Sequence, residues 1–115
     1  MSLTRGICLA IRLVVAFVAL TSQATGETVN VKYRGEVNLA PFACTEITRS
    51  SFVNRICYDG SNSYMLINLN GTYYHYCDID GETVTGLLHA DSIGRFFNAN
   101  IKGQFDCRTR HVPNY

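Results

Sequence analysis

The chain has 115 residues, a length that excludes more than one ordinary domain. Its ten lysine and arginine residues nearly balance nine aspartate and glutamate residues, and the formal net charge is +1. Such a balance does not favour a nucleic-acid or anionic-membrane binder, because the electrostatic footprint of those proteins is normally basic.

Residues 1–26 have the three parts of a secretory signal peptide: a start with two arginines and no acid, an apolar run at 13–20, and a small, polar exit. Cleavage is expected after Ala24 or after Gly26, since either cut leaves small residues at positions −3 and −1. A retained membrane anchor is the alternative, but Arg12 interrupts the apolar stretch before it reaches about 20 residues. We therefore predict an exported protein, periplasmic or secreted, with no membrane span after cleavage.

Cleavage would change both the charge and the cysteine count. Two arginines and no acids would leave, so 8 basic residues against 9 acidic ones give a net charge of −1. Cys8 would leave as well, and four cysteines would remain: Cys44, Cys57, Cys77 and Cys107. An even number in a short exported chain predicts two disulfides. The cysteine and histidine spacings match no common zinc motif, and we expect neither a metal nor another cofactor.

Residues 27–49 are predicted to form an N-terminal arm that is partly ordered near Cys44. The alternation of Val29, Val31 and Tyr33 allows one short strand in this arm. Three further strands are predicted, at residues 52–58, 64–69 and 72–79, because these stretches are rich in β-branched and aromatic residues and are separated by turn residues.

Asn70 and Gly71 are the strongest turn signal in the chain, because both tolerate positive φ in a two-residue hairpin. This turn would place Ile67 opposite Tyr74 and Met65 opposite Tyr76. One face of the sheet, the core face, would then hold Ile56, Tyr58, Met65, Ile67, Leu69, Tyr74 and Tyr76. The other face would hold Cys57, Tyr64, Leu66, Tyr73, His75 and Cys77.

This register also limits the disulfide pairing. Cys57 and Cys77 would both lie opposite Tyr64, on the two strands that flank it, and two strand spacings of about 4.8 Å separate them. A disulfide needs Cα atoms within about 7 Å, so a bridge between these two is disfavoured. We expect each of them to pair with one of the flanking cysteines, Cys44 or Cys107.

After Asp80 the hydrophobic period changes from 2 to 3.6, which predicts two helices. Val84, Leu87 and Leu88 form the apolar stripe of the first helix. The second begins after a cap at Asp91 or Ser92, carries Ile93, Phe96, Phe97 and Ile101 on one stripe, and ends at Lys102 and Gly103. Residues 104–110 are predicted as an extended tail that delivers Cys107.

Several stretches of the chain resemble the KTSC domain family. Residues 50–59 (SSFVNRICYD) are similar to its opening strand, and residues 64–69 with the following Y-x-Y to its central strands. The pattern A-x-S-x-G-x-x-F-N at 90–98, followed by I-K-G, is similar to its closing helices. The matching positions, which we interpret as mainly structural, are Tyr74, Tyr76, Ser92, Gly94, Phe97, Asn98, Ile101 and Gly103.

The resemblance covers residues 50–105 and leaves residues 106–115 as a C-terminal tail. We predict an α+β fold, a three-stranded antiparallel meander with two C-terminal helices packed on one face. KTSC domains occur as short bacterial proteins and as a tail on some lysyl-tRNA synthetases. The family's activity is not established, although RNA binding has been suggested. The signal peptide, the four cysteines and the near-neutral charge count against that role in this chain.

A candidate binding surface is formed by Tyr64, Tyr73 and His75, on the face away from the helices, together with Arg55 on the first strand. Tyrosine and arginine are the residue types that anchor interfaces. The alternative is that the aromatic residues merely suit a pleated surface. We predict a non-catalytic binding module whose partner is unknown, and an envelope protein would fit its expected location.

Two other functions are considered. Nucleic-acid binding, as suggested for the family, is the alternative, because aromatic rings on a sheet beside basic residues can hold single strands. An enzyme is not expected, since the chain lacks G-x-S-x-G, HExxH and P-loop motifs. His89, Asp91 and Ser92 are too close in sequence for a triad, whose members normally converge from distant positions.

Overall fold

The computed structural model describes residues 26–115, and residues 1–25 of the predicted signal peptide, with Cys8 and Ala24, lie outside the described residues. In the described part, no helix is both long enough and apolar enough to cross a membrane. The elements in chain order are β1 (Thr28–Val31), β2 (Gly35–Asn38), β3 (Ala43–Glu46), β4 (Val53–Asp59), β5 (Tyr64–Leu69), β6 (Thr72–Cys77), α1 (Gly81–His89), α2 (Ile93–Asn100) and a 3-10 turn (Cys107–Thr109).

The six strands form one mixed sheet in the order β2-β1-β6-β5-β4-β3. All neighbours are antiparallel except β1 and β6, which are parallel and joined at Val31 and Tyr73. The α+β class is confirmed, but the predicted three-stranded meander is wrong as a description of the whole sheet. It is the central half, β4-β5-β6, and residues 27–49 add three strands of four residues each at the two edges.

The hairpin between β5 and β6 has the predicted register. Asn70 and Gly71 both have positive φ, and Ile67 lies opposite Tyr74. One predicted pairing is wrong, because Cys57 lies opposite Leu66 instead of Tyr64. The cause is that β4 continues to Asp59, which pairs with Tyr64 and moves residues 55–58 along the ladder. The shift is two residues, so Cys57 stays on its predicted face.

The two helices pack on the predicted core face of the sheet. Asp80 caps α1 by accepting a hydrogen bond from the Thr83 N–H, and Ser92 caps α2 by accepting one from the Arg95 N–H. The buried members of this first core come from the strands, from the segment before α1 and from the helices: Val53, Ile56, Met65, Ile67, Ile79, Val84, Leu87, Ile93, Phe97 and Ile101.

Gly94 in α2 lies against the ring of Phe52, the residue before β4. A Cβ atom at this position would lie 2.6 Å from a ring carbon of Phe52. We expect Gly94→Ala to lower the free energy of unfolding by about 1–3 kcal/mol, since the ring must move within a packed core. Urea unfolding measures this change. The matched control is Gly86→Ala in α1, whose Cβ meets only the end of the Phe96 ring at 3.0 Å; an equal loss in both variants would contradict the prediction.

The opposite face of the sheet is also buried, under the N-terminal hairpin and the C-terminal tail. This second core contains Val31, Val37, Leu39, Cys57, Tyr64, Leu66, Cys77 and Cys107. Two disulfides close it, Cys44–Cys57 between β3 and β4 and Cys77–Cys107 between β6 and the tail. Each strand cysteine is thus bonded to a flanking cysteine, as predicted. The tail is not fully extended, because it forms the 3-10 turn where it meets β6.

Candidate functional site

The predicted binding surface does not form an open patch, because Tyr64 lies in the second core with 0% of its surface exposed. Its hydroxyl is 2.8 Å from His75 Nδ1 and accepts a hydrogen bond of 3.2 Å from Arg34. The Arg34 guanidinium lies 5.4 Å from the centres of both the Tyr64 and Tyr115 rings. Tyr64 and His75 therefore belong to a polar cluster that fastens the N-terminal hairpin and the C-terminus to the sheet.

The other two predicted residues, Arg55 and Tyr73, lie in a second cluster. Arg55 donates hydrogen bonds of 2.7 and 3.1 Å to Glu27 and one of 3.3 Å to the Tyr73 hydroxyl. Its Nε is also 2.5 Å from a Glu46 oxygen, an ion pair that lacks hydrogen-bond alignment. The hydrogen bonds from Arg55 lower the pKa of Glu27. The Arg55 side chain thus links β4 to β3, to β6 and to the residue before β1, and it is occupied by partners within the chain.

The cluster around His75 makes the stability depend on pH. Burial lowers the pKa of His75, Arg34 lowers it further, and Asp106 opposes them. A folded-state pKa below the ordinary value of 6.5 means that the neutral form is favoured on folding. The contribution is therefore complete above pH 6.5 and is lost as the pH falls towards the folded-state pKa. We expect His75→Gln to flatten this loss in urea unfolding between pH 7 and 5, whereas His111→Gln, at an exposed position, leaves it unchanged.

Two adjacent cavities share the tyrosines of the Y-x-Y pattern, Tyr74 and Tyr76 on β6. The first, the edge cavity, has about 600 Å³ and lies at the outer edge of β6, between the tip of the β1–β2 hairpin and the tail. The edge cavity is lined by Lys32, Tyr33, Tyr74, His75, Tyr76, Gly103, Gln104, Asp106, Cys107 and Arg108. Both tyrosines are half-buried, and their rings separate it from the second cavity.

The second cavity, of about 510 Å³, lies between the β5–β6 turn and the end of α2. Phe97 forms its floor and meets the Tyr76 ring edge-on, with ring centres 5.9 Å apart. Asn98 and Lys102 lie at its rim. Within residues 26–115 the Asn98 side chain makes no hydrogen bond, so it differs from Asn100, which donates one to the Phe96 carbonyl.

The remaining positions of the family pattern have structural roles. Ser92 caps α2, and Gly94 admits the Phe52 ring. Ile101 is fully buried at the end of the helix. Gly103 has a φ of +79°, a conformation that favours glycine, where the chain leaves α2 for the tail. These four residues thus shape α2 and the turn after it, whereas Tyr74, Tyr76 and Asn98 line the cavities.

The charged side chains around the edge cavity differ in whether they already have an ion-pair partner. Arg108 donates three side-chain hydrogen bonds to Asp106, and hydrogen bonds from Arg108 lower the pKa of Asp106 to about 2. Lys32 makes no ion pair with any group of the described residues, and its Nζ lies 5.4 Å from the centre of the Tyr33 ring and 5.9 Å from that of Tyr74. Among the described residues, Lys32 is therefore the lining cation of this cavity that has no ion-pair partner.

The edge cavity has no local signal in the sequence, because its walls come partly from segments predicted as an arm and a tail. Tyr33 is 87% exposed and has a φ of +69° at the tip of the β1–β2 hairpin. In the sequence, Tyr33 is the third member of an alternating pattern, which predicts an ordinary strand residue instead. Cys107 was the available signal, since a disulfide to β6 necessarily brings the tail beside that strand.

Comparison with known proteins gives one family. The model of the KTSC domain matches residues 49–105. A crystal structure of a KTSC domain protein from Yersinia pestis superimposes with a TM-score of 0.53 and 29% sequence identity, over 56% of this chain and 92% of that one. No curated protein matches the chain. The matched segment contains β4 to β6 and both helices but not β1, β2 or Cys107.

Proposed function

Because residues 49–105 belong to the KTSC domain family, we propose that this chain is an exported, disulfide-stabilised KTSC domain that acts as a non-catalytic binding module. The binding site is the edge cavity. The observation that carries this proposal is the concave space of about 600 Å³ beside the family's two tyrosines, within the ~300–1,000 Å³ range of many ligand sites. The segments outside residues 49–105 complete its walls.

Export is supported by the two disulfides and by the sequence of residues 1–26. Disulfides form and persist in oxidising compartments and are rare in the cytosol. Both bridges join the KTSC segment to a flanking segment, since Cys44 precedes residue 49 and Cys107 follows residue 105. The added strand β3 and the tail are thus held in place by disulfides, which need an oxidising environment to form.

A non-catalytic role is supported by the structural roles of the side chains that could otherwise react. Ser92 caps α2, and His89 bonds the Thr85 carbonyl within its own helix. All four cysteines of the described residues are paired, so none of them offers a thiol nucleophile. Tyr74 and Tyr76 line a cavity whose charged side chains, Lys32, Asp106 and Arg108, are suited to binding a ligand.

The proposal is tested with a variant that fills the edge cavity. Gln104→Trp places a large ring in the cavity from an exposed position of its wall, and Glu82→Trp adds the same ring on the exposed side of α1 as a control. Each protein, purified in its oxidised form, is immobilised and exposed to envelope and medium extracts. We expect ligands retained by the wild type and by Glu82→Trp to be lost from Gln104→Trp. Equal retention by all three proteins, or no retention by any, would contradict the proposal.

Nucleic-acid binding is the second candidate. It is favoured by the half-buried rings of Tyr74 and Tyr76 beside Lys32 and Lys102, since aromatic rings with nearby cations can stack and hold single strands. The net charge after signal cleavage, 8 − 9 = −1, opposes it. A gel shift with single-stranded RNA decides between the two. We expect no shift at about 50 mM salt, and a salt-sensitive shift abolished by Tyr74→Ala would establish nucleic-acid binding.

A further inference from the structure

The outer edge of β6 is interrupted at His75. On one side of His75, the Tyr73 carbonyl accepts a hydrogen bond of 2.9 Å from the Lys32 N–H. On the other side, the Cys77 N–H donates one of 2.9 Å to the Phe105 carbonyl. The β1 strand thus covers the start of this edge and the tail covers its end, and within residues 26–115 no strand lies beside the position between them.

The direction of the His75 backbone follows from the hairpin. Successive residues of an antiparallel strand direct their N–H and C=O groups alternately towards one neighbour and the other. Since Tyr73 and Cys77 bond away from β5, His75 between them must also face away from β5. Among residues 26–115, neither backbone group of His75 has a hydrogen-bond partner. One donor and one acceptor of the sheet therefore face the edge cavity.

The gap at His75 is short and closed at both ends. The distance from Tyr73 to Cys77 is four steps along the strand, about 13 Å at ~3.3 Å per residue. The β1–β2 hairpin closes one end, and the disulfide between Cys77 and Cys107 holds the tail at the other. A bound peptide that continued past both ends of the gap would have to leave the plane of the sheet twice. A bound peptide that ends in the gap leaves the plane only once.

The charge in the gap favours an anionic group at one end. Lys32 lies at the Tyr73 end, directly after β1, and the Arg108 guanidinium is already bonded to Asp106. A carboxylate placed near Lys32 would meet a cation that has no ion-pair partner in the described part of the chain. An extended peptide that runs antiparallel to β6 brings its C-terminus to this end.

We propose that the gap at His75 binds the C-terminal end of an extended peptide antiparallel to β6. The penultimate residue of the peptide exchanges two backbone hydrogen bonds with His75, and the terminal carboxylate meets Lys32. Tyr74 and Tyr76 provide half-buried rings for the side chains on the helix side. This inference rests on the proposed function and names the ligand class of the same site.

The experiment uses two pools of random N-acetylated hexapeptides that differ only at the C-terminus, one with free carboxylates and one with carboxamides. Each pool is titrated into the ¹⁵N-labelled, oxidised protein, and backbone amide shifts are followed. We expect the carboxylate pool to shift the His75 amide with an affinity about threefold to tenfold higher than the carboxamide pool. Lys32→Gln should remove this difference, and Lys102→Gln, in the second cavity, should keep it.

The outcomes separate the two proposals. If the pools bind equally, or if neither shifts the His75 amide, the assignment of a peptide C-terminus is wrong. The proposed function survives that result if the extract experiment still retains ligands that Gln104→Trp loses. If Lys102→Gln removes the difference and Lys32→Gln keeps it, the carboxylate lies in the second cavity and the inference is again wrong.

Discussion

Replacing Cys77 and Cys107 together with alanine is expected to lower the free energy of unfolding by about 3.6 kcal/mol. The bridge closes a loop of 30 residues, and the chain-entropy relation gives this value at 25 °C. The loss also releases the tail from β6, so the edge cavity loses one of its walls. Urea unfolding of the purified, oxidised proteins measures the change, with circular dichroism as the signal.

The matched control is the double alanine variant of Cys44 and Cys57. That bridge closes a loop of only 13 residues, for which the same relation gives about 2.9 kcal/mol. It joins directly opposed residues of β3 and β4, far along the sheet from the edge cavity. We expect peptide binding to survive in this variant and to be lost with the Cys77–Cys107 bridge. Retained binding without Cys77 and Cys107 would show that the tail is not a wall of the site.

Tyr64→Ala is expected to cost about 3–5 kcal/mol of stability, as for other large aromatic residues removed from a core. Tyr64 is fully buried between Phe42, Tyr115 and the guanidinium of Arg34. Its loss also leaves the hydrogen bond to His75 unmade, which adds to the cost. Thermal and urea unfolding of the variant test whether the second face of the sheet is a true core.

The control for Tyr64 is Tyr33→Ala, which removes the same side chain from a position that is 87% exposed. We expect its stability to stay within about 0.5 kcal/mol of the wild type, as for most surface substitutions. A similar small effect of Tyr64→Ala would mean that the N-terminal hairpin and the tail do not cover the sheet. In that case the face with Tyr64, Tyr73 and His75 would be an open surface.

The central hairpin and the helices could be predicted because their signals are local. Asn70 and Gly71 fix a two-residue turn, and with it the register of β5 and β6. The 3.6-residue spacing from Ile93 to Ile101 fixes the buried side of α2. These patterns need no knowledge of distant parts of the chain, and they predict which face of the meander meets the helices.

The outer strands could not be predicted with the same certainty, because they depend on long-range pairing. β1, β2 and β3 have only four residues each and carry few apolar side chains. Val31 and Val37 become buried only when the hairpin folds over the far face of the sheet. A sequence pattern cannot show that both faces of a sheet are covered, so the sequence predicts an open surface on that face.

The candidate site was missed for a related reason. The hairpin register predicts Tyr74 and Tyr76 on the core face, which is correct, but no local pattern indicates that they are half-buried beside a cavity. The unpaired backbone of His75 has no side-chain signal at all, because it depends on where β1 ends and the tail begins. Only the hydrogen bonds between Tyr73 and Lys32 and between Cys77 and Phe105 reveal it.

The peptide-binding proposal needs an open sheet edge at His75, and amide hydrogen exchange of the free, oxidised protein tests this edge most directly. The His75 amide should exchange faster than those of Tyr76 and Cys77 by roughly two orders of magnitude or more, because they are bonded to β5 and to Phe105. Protection of His75 equal to that of its neighbours would mean that the edge is already paired, and would contradict a binding site there.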